Sequence, residues 1–449
     1  MNTMKKTIVK YLIILSFLLY TAGCSKFDDI NTDPNAATTV TAGLLATNLI
    51  LSVTRDATSA QKSFMQPFIL AKYITWQEGQ EDYQYNDLGR ADFDRLVVLN
   101  NVPQMINYAT SEQLKTSYTA LGHFIRAWQF YQTTMQVGDI PYSEAISGEN
   151  GNIKPIYDTQ KEVFIGILNE LDSANVQFAN GSDFDGDPIY NGSTDSWRRL
   201  SNSFELHVLM NLFKKTDDVD LNVMQRFNNI VTNRPLMRDY NDNFALVYSD
   251  KVNQQYPWYS INSSNPSVIY PMVSATLINP LKLMQDRRLF YFAKPSPVQI
   301  SNGKTASDWN AYIGVEPSAS FSSLQTIHAS KDFSDLNDRY ADLANAEPVS
   351  MFSYSEFQFV LAEAAVRGWI GGSAEAYYEA GISSDMKFIA NYTPADQNYN
   401  HGMPITDSYI QQYLSSVKLS GTPEQQITQI ITQKYIADFL QGPDYNAWY

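Results

Sequence analysis

The chain has 449 residues and carries 47 acidic against 32 basic side chains, which gives a formal net charge of −15 at pH 7. Nucleic acids and anionic lipid surfaces repel a protein of this charge, so both classes of partner are excluded. Aromatic residues make up 13% of the chain, including 29 Tyr and 7 Trp. A core accounts for many of these rings. The informative ones stand in polar loops, where a ligand can reach them.

The N-terminal segment has the pattern of a bacterial export signal. Three lysines precede an apolar stretch that ends at Ala22-Gly23-Cys24, and this stretch is shorter than the roughly 20 residues that a membrane-spanning helix needs. We therefore predict a signal peptide over 1–23 and a lipidated tether over 24–40, with acylated Cys24 as the only contact with the membrane. The alternative is an ordinary signal peptide in which Cys24, the only cysteine, is incidental.

Apolar residues then recur at helical spacing, and we predict a single, mainly helical domain over 41–449. The clearest helix covers 112–137, where Leu121 and Ile125 lie on one apolar stripe. Gly138 supplies the stop, because glycine readily adopts the backbone conformation that ends a helix.

Two segments repeat the first-helix pattern of a tetratricopeptide repeat, in which an aromatic residue is followed by Leu, a small residue and an apolar residue. The first covers 118–125 with Gly122 as the small residue, and the second covers 197–204 with Ser201 in that place. Gly122 would let a neighbouring helix approach closely. A weaker third copy begins at Phe357. Because no fixed period links the copies, we expect divergent helix pairs separated by insertions.

The character of the sequence changes over about 239–345. Asn, Ser, Pro, Tyr and Trp dominate there, and we expect short strands or ordered loops near 244–248 and 290–293. A loop region of this length inside a compact protein is usually functional. We therefore predict that this region carries the ligand-binding part of the domain.

Several segments together resemble the SusD/RagB family. They are the anchor motif followed by Asn-Thr-Asp-Pro-Asn at 31–35, Gly-Asp-Ile-Pro-Tyr-Ser-Glu-Ala at 138–145, and the stretches 363–369 and 433–437. The resemblance implies a mainly α fold of tetratricopeptide-like helix pairs with a large irregular region of loops and short strands. It also implies a lipoprotein on the outer face of the outer membrane that captures glycans or related nutrients and delivers them to a SusC-like TonB-dependent transporter. Family members usually continue beyond the position of Tyr449 through an Arg-rich segment.

Sugar binding requires a flat aromatic ring under the C–H face of the sugar and amide or carboxylate groups at its hydroxyl rim. Three polar segments, 76–86, 253–265 and 307–312, offer that mixture. Trp258 is the first candidate, because neighbouring Pro and Tyr residues would stiffen its loop. The predicted ligand-binding residues are Trp76, Gln77, Asn253, Tyr256, Trp258, Tyr259, Asn262 and Trp309. The alternative for each Trp is a half-buried side chain that pins its loop.

Catalytic motifs are not found in the sequence. The four histidines lack metal-ligand spacing, and there is no nucleophile elbow, phosphate loop or dinucleotide fingerprint. The alternating acids of 183–187 resemble part of a calcium loop but lack its distal Glu, so a solvated acidic turn is favoured. We predict no cofactor, no metal and no enzymatic activity. Two alternatives stay open: a surface glycoside hydrolase, since the sequence does not exclude a pair of suitably spaced carboxylates, and a structural lid without a ligand site.

Overall fold

The computed structural model describes residues 40–54, 61–79, 81–148, 151–259 and 271–442. The predicted signal peptide, Cys24 and all of the tether except residue 40 lie outside these ranges, as does Asn262. The described residues are mainly helical, with short strands, so the predicted fold class is confirmed.

The first described elements are short and lead into one long helix. They are α1 (Ala42–Thr54), α2 (Gln61–Leu70), β1 (Ile74–Trp76), α3 (Asp94–Val97) and α4 (Asn101–Asn107). Four helices follow, of which the first three are longer than any before them: α5 (Glu112–Val137), α6 (Gln160–Asn180), α7 (Thr194–Asn211) and α8 (Val223–Asn233).

Helix α5 has the boundaries that its sequence predicts. The Ser111 hydroxyl accepts a hydrogen bond from the backbone N–H of Leu114 at 3.2 Å, which caps the first turn. Gly138, with φ of +83°, ends the helix. Leu121 and Ile125 are fully buried, and α5 packs along α6, which in turn packs on α7. The apolar stripe of α5 therefore forms the centre of the helical body.

Gly122 has the role predicted for it. A Cβ atom at this position would lie 2.6 Å from Cγ1 of Val102 on α4, which is well inside van der Waals contact. Helix α4 can pack on α5 at this distance because residue 122 has no side chain. In the second copy of the repeat pattern, Ser201 is fully buried and donates its hydroxyl to the carbonyl oxygen of Trp197 at 2.8 Å.

The segment 138–145 links α5 to α6, and its polar groups hold that link in place. A carboxylate oxygen of Asp158 accepts a hydrogen bond from the backbone N–H of Tyr142 at 2.8 Å. Asp139 accepts another from the backbone N–H of Gln160, the first residue of α6, also at 2.8 Å. The most specific motif of the family resemblance thus stabilises a helix connection, and its function is structural.

The loop-rich region is more helical than predicted. Its elements are β2 (Phe244–Leu246), β3 (Pro271–Val273), α9 (Ala275–Leu283), α10 (Leu289–Phe292), α11 (Pro297–Ser301), α12 (Phe321–Ser330) and α13 (Arg339–Asp342). The strand near 244–248 is confirmed. The strand or ordered loop expected at 290–293 is wrong, because Phe290 to Phe292 belong to α10. All four residues of α10 are buried. A short apolar run without a polar face does not distinguish a strand from a helical turn.

The remaining elements are β4 (Val349–Phe352), α14 (Tyr354–Val366), α15 (Ala374–Tyr392), α16 (Gln397–Asn400), α17 (Asp407–Ser416) and α18 (Pro423–Ala437). Helix α14 packs on α7, α15 and α18. Two antiparallel strand pairs connect distant parts of the chain: β1 with β3, and β2 with β4. Within the described ranges, no helix has both the length and the apolar character needed to cross a membrane.

Candidate functional site

Trp76 and Trp258 come together, although they are far apart in the sequence. Their rings meet edge to face with centroids 6.3 Å apart. Trp76 lies on β1, opposite Pro271 of β3, and each of the two side chains is only 1% exposed. The expectation that these two rings stand in polar loops within reach of a ligand is therefore wrong for this conformation. Neither indole offers an open face in this conformation, and both are more deeply buried than the half-buried alternative describes. Their part in ligand binding stays a prediction.

The neighbours of Trp258 divide between core and surface. Tyr256 is buried, its backbone N–H donates to the carbonyl oxygen of Ala344 at 2.7 Å, and its ring meets Phe64 edge on. Tyr259 is half-buried and Asn253 is exposed. Gln77 is buried beside Trp76. Of the predicted residues that the structure describes in these two loops, Asn253 and Tyr259 are the ones that an external ligand can reach.

Trp309 lies in a different part of the molecule from Trp76 and Trp258. It begins a short 3₁₀ turn capped by Asp308, whose side chain accepts a hydrogen bond from the backbone N–H of Asn310 at 2.8 Å. Its ring meets Phe290 edge on, with centroids 4.6 Å apart, and the residue stays half-buried. Trp309 therefore keeps part of its indole accessible.

A polar cleft of about 750 Å³ opens beside the segment that carries Trp309. We call it the Lys294 cleft. Three segments form it: the connection between α10 and α12, the helix α13 with its N-cap residue, and the turn around α16. Its lining residues are Lys294, Pro295, Ala306, Ser307, Asp338, Asp342, Gln397, Asn398, Tyr399, His401 and Gly402.

One buried side chain joins two of these segments beneath the cleft. Asn337 is 1% exposed, and its amide nitrogen donates to the carbonyl oxygens of Phe290 at 3.0 Å and Tyr399 at 2.9 Å. Next to it, the guanidinium of Arg339 donates to the carbonyl oxygen of Tyr291 at 3.0 Å and to the carboxylate of Glu347 at 2.5 Å. Because these donors are buried and satisfied, the cleft is formed before any ligand arrives.

The third wall is a tight turn. Asp396 caps α16 by accepting a hydrogen bond from the backbone N–H of Asn398 at 2.9 Å. His401 follows in the left-handed region with φ of +50°, and Gly402 continues it with φ of +77°. This geometry reverses the chain and presents a half-buried phenol, Tyr399, and a half-buried imidazole, His401, to the cleft.

The charges of the cleft are only partly balanced. Lys294 Nζ lies 2.8 Å from Asp338 Oδ1. Burial alone would lower the pKa of Lys294. The negative charges of the nearby carboxylates, mainly that of Asp338, have the larger effect, so the pKa of Lys294 is raised. Burial and the negative charge of Asp338 raise the pKa of Asp342. Burial lowers the pKa of His401, so its imidazole is neutral at pH 7 and can both donate and accept hydrogen bonds.

The sequence pattern identified the segment 307–312, of which Ser307 lines one edge of the cleft. It did not identify the residues on the other edges. Lys294, Asp338 and Asp342 stand in unremarkable sequence surroundings. The turn at 397–402, by contrast, reads Gln-Asn-Tyr-Asn-His-Gly. It has the same mixture of amides and aromatic rings that pointed to the other loops, and that signal could have identified it.

A second, smaller pocket of about 420 Å³ lies beside the predicted loop 76–86. Its lining residues are Leu70, Tyr83, Leu88, Gly89, Arg90, Ala91, Asp92, Arg95, Gln136 and Val137. It contains two guanidinium groups and one exposed aspartate, with fewer amide groups than the Lys294 cleft.

The acidic segment 183–187 has a structural function. One carboxylate oxygen of Asp187 accepts hydrogen bonds from the backbone N–H of Gly192 at 2.9 Å and from the indole N–H of Trp197 at 2.8 Å. Asp187 is 8% exposed, so the interpretation as a fully solvated turn is wrong for this residue. In the part of the chain that the structure describes, no group of three or more His, Cys, Asp or Glu residues could hold a metal ion.

Comparisons with known proteins agree with this architecture. A SusD-like family model, described as starch-binding and associating with the outer membrane, matches residues 34–449. A SusD homolog of Bacteroides fragilis is 42% identical with a TM-score of 0.87, over 91% of this chain and 86% of that one. A Bacteroides vulgatus protein, suggested to be an outer membrane protein involved in nutrient binding, is 32% identical with a TM-score of 0.81, over 91% and 88%.

A chitin-binding SusD homolog of Flavobacterium johnsoniae shares the fold at 21% identity, with a TM-score of 0.65 over 91% of this chain and 85% of that one. Among curated proteins, no match is found. The family model covers nearly the whole chain, and the TM-score of 0.87 shows that the overall fold is shared with the Bacteroides fragilis homolog. The chain belongs to the SusD-like family of outer-membrane-associated binding proteins.

Proposed function

We propose that this protein captures glycans or related nutrients at the outer face of the outer membrane and delivers them to a SusC-like TonB-dependent transporter, without catalysing a reaction. The observation that carries the proposal is the family match over residues 34–449. Members of this family are typically non-catalytic binding proteins. The predicted lipid anchor at Cys24 would hold the protein at the membrane surface.

We assign the ligand site to the Lys294 cleft. Its volume of about 750 Å³ lies within the usual range for small-molecule sites. It offers the groups that a sugar needs: amides from Gln397 and Asn398, a hydroxyl and a ring from Tyr399, and carboxylates from Asp338 and Asp342. The half-buried indole of Trp309 stands beside its wall and can extend the aromatic surface.

Surface confinement explains why a modest affinity is sufficient. An acylated Cys24 would restrict the protein to two dimensions next to its transporter, which raises the effective concentration of captured ligand at the transporter mouth. A ligand that must be released inward is also better served by a weak site than by a tight one.

The test is a calorimetric binding screen of the purified chain, carrying Cys24→Ser, against a panel of soluble polysaccharides and oligosaccharides. We expect at least one glycan to bind and Tyr399→Ala to weaken that binding about 5- to 150-fold, the range for loss of a central aromatic contact. Tyr108→Ala removes an exposed tyrosine outside the cleft and is the matched control. Steady release of reducing ends would favour the hydrolase alternative, and a panel without any binding would favour the structural lid.

A further inference from the structure

The carboxylates of the Lys294 cleft are not equivalent. Asp338 and Asp342 stand four residues apart, at the two ends of α13. Asp338 is neutralised by Lys294 at 2.8 Å. Among the described residues, no hydrogen bond or salt bridge engages the carboxylate of Asp342. The cleft thus contains one carboxylate whose hydrogen-bonding capacity is available to a ligand.

The residues around Asp342 add negative charge to the cleft and no cation besides Lys294. Lys294 is the only cationic side chain among the eleven lining residues, and His401 is neutral. Asp335 lies next to the Lys294 segment of the cleft, where its carbonyl oxygen accepts a hydrogen bond from the backbone N–H of Lys294 at 2.9 Å. Asp396 stands at the outer end of α16. Burial and then the charges of Asp342, Asp396 and Asp338 raise the pKa of Tyr399, so the phenol of the cleft lies in a negative potential.

We propose that the Lys294 cleft binds a saccharide that carries a protonated primary amine, with Asp342 accepting hydrogen bonds from the ammonium group. An ammonium group has three donors and no acceptor, so it matches a free carboxylate and the oxygen of a neighbouring phenol. A uronate placed in the same position would face the unpaired carboxylate of Asp342 and be repelled. This inference rests on the proposed function, because it assumes that the cleft is a saccharide site.

The experiment compares three tetrasaccharides with one backbone: cellotetraose, its 2-amino analogue and its 6-carboxylate analogue. Binding to the purified chain carrying Cys24→Ser is measured by calorimetry at pH 7 and 0.15 M salt, where charges beyond about 8 Å are largely screened. We expect the amine to bind about 10-fold more tightly than the neutral sugar, as one charge-assisted hydrogen bond allows, and the uronate to bind more weakly than both. Asp342→Asn should remove most of the amine's advantage over the neutral sugar.

The matched control is Asp220→Asn, which removes the same charge outside the cleft. Asp220 is 61% exposed, and its partner Lys161 keeps Asp218 at 2.9 Å, so the variant should fold and bind like the wild type. The inference is overturned if the uronate binds as tightly as the amine or if none of the three sugars binds. It is also overturned if Asp342→Asn leaves the ratio of the amine and uronate affinities unchanged, or if the control variant changes that ratio equally. One outcome separates this inference from the proposed function. If the neutral sugar binds and Tyr399→Ala weakens that binding, but the protein does not prefer the amine, the proposed function stands and only this inference is removed.

Discussion

The side-chain amide of Asn337 donates to the carbonyl oxygen of Tyr399 at 2.9 Å, across 62 residues of sequence. Because the same nitrogen also donates to the carbonyl oxygen of Phe290 at 3.0 Å, one buried side chain fixes the distance between two walls of the Lys294 cleft. The floor of the cleft is therefore part of the folded core, and the exposed groups above it are held in place by that core.

Replacing Asn337 by Ala should destabilise the protein and loosen the cleft together. The variant leaves a buried carbonyl oxygen on Phe290 and a partly buried one on Tyr399 without their donor. This loss should lower the free energy of unfolding by about 2–4 kcal/mol. Urea unfolding followed by circular dichroism measures this loss. Asn398→Ala, at an exposed position on the rim of the cleft, should change stability by less than about 0.5 kcal/mol. Equal effects of the two substitutions would contradict the role given to Asn337.

Leu121→Ala tests the helical body. Leu121 is fully buried on α5, so the substitution should open a cavity and cost about 2–5 kcal/mol of unfolding free energy. Leu283→Ala is the matched control, because Leu283 is 86% exposed and its loss should have little effect. A cost below about 0.5 kcal/mol for Leu121→Ala would mean that its side chain is not packed at a helix interface.

The helical body could be predicted from the sequence because its signals are local. The spacing of Leu121 and Ile125 and the stop at Gly138 each lie within one helix, and Gly122 belongs to a pattern of eight residues. The burial of Trp76 and Trp258 has no local signal, since both have polar neighbours in sequence and are covered by strands and rings from distant segments. The cleft depends on contacts such as that between Asn337 and Tyr399, which no periodicity reveals. Its lining residues could be found only where aromatic and amide residues happen to be adjacent in sequence.

The two kinds of loop tryptophan should respond differently to truncation. Trp258 is 1% exposed, so Trp258→Ala should lower the free energy of unfolding by about 3–5 kcal/mol. Trp309 is half-buried beside the cleft, so Trp309→Ala should keep the fold and weaken glycan binding by about 1–3 kcal/mol if its indole contacts the sugar. Thermal melting and calorimetry separate the two effects. A Trp258→Ala variant that stayed folded and lost binding would instead identify Trp258 as the stacking platform.

Acylation at Cys24 is a prediction from the sequence alone. Cys24→Ser in the full chain should abolish labelling by a fatty-acid probe and move the protein from the detergent phase to the aqueous phase, because serine cannot take up the thioether-linked lipid. Ser25→Ala is the adjacent control and should change neither result. Labelling that persists in Cys24→Ser would place the anchor elsewhere or make Cys24 incidental.

Asp335 should give the protein a measurable pH dependence near its cleft. Burial raises the pKa of this carboxyl from 3.8 to about 6, although Lys294 opposes the shift. The native state therefore holds a proton that the unfolded chain has already released, and the contribution of this group to stability falls as the pH rises from about 4 to about 6. Above pH 6 the contribution is constant, because the carboxyl is ionised in both states.

Asp335→Asn removes this titration while keeping the shape of the side chain. The unfolding free energy of the variant minus that of the wild type should rise by about 2–3 kcal/mol between pH 4 and pH 6.5 and then level off. Chemical unfolding at half-unit pH steps gives this difference directly, and other titrating groups cancel in the subtraction. Asp407→Asn, at a side chain 87% exposed, should give a flat difference. A flat or falling difference for Asp335→Asn would mean that the Asp335 carboxyl is already ionised in the native protein at pH 4, so that Lys294 outweighs the effect of burial.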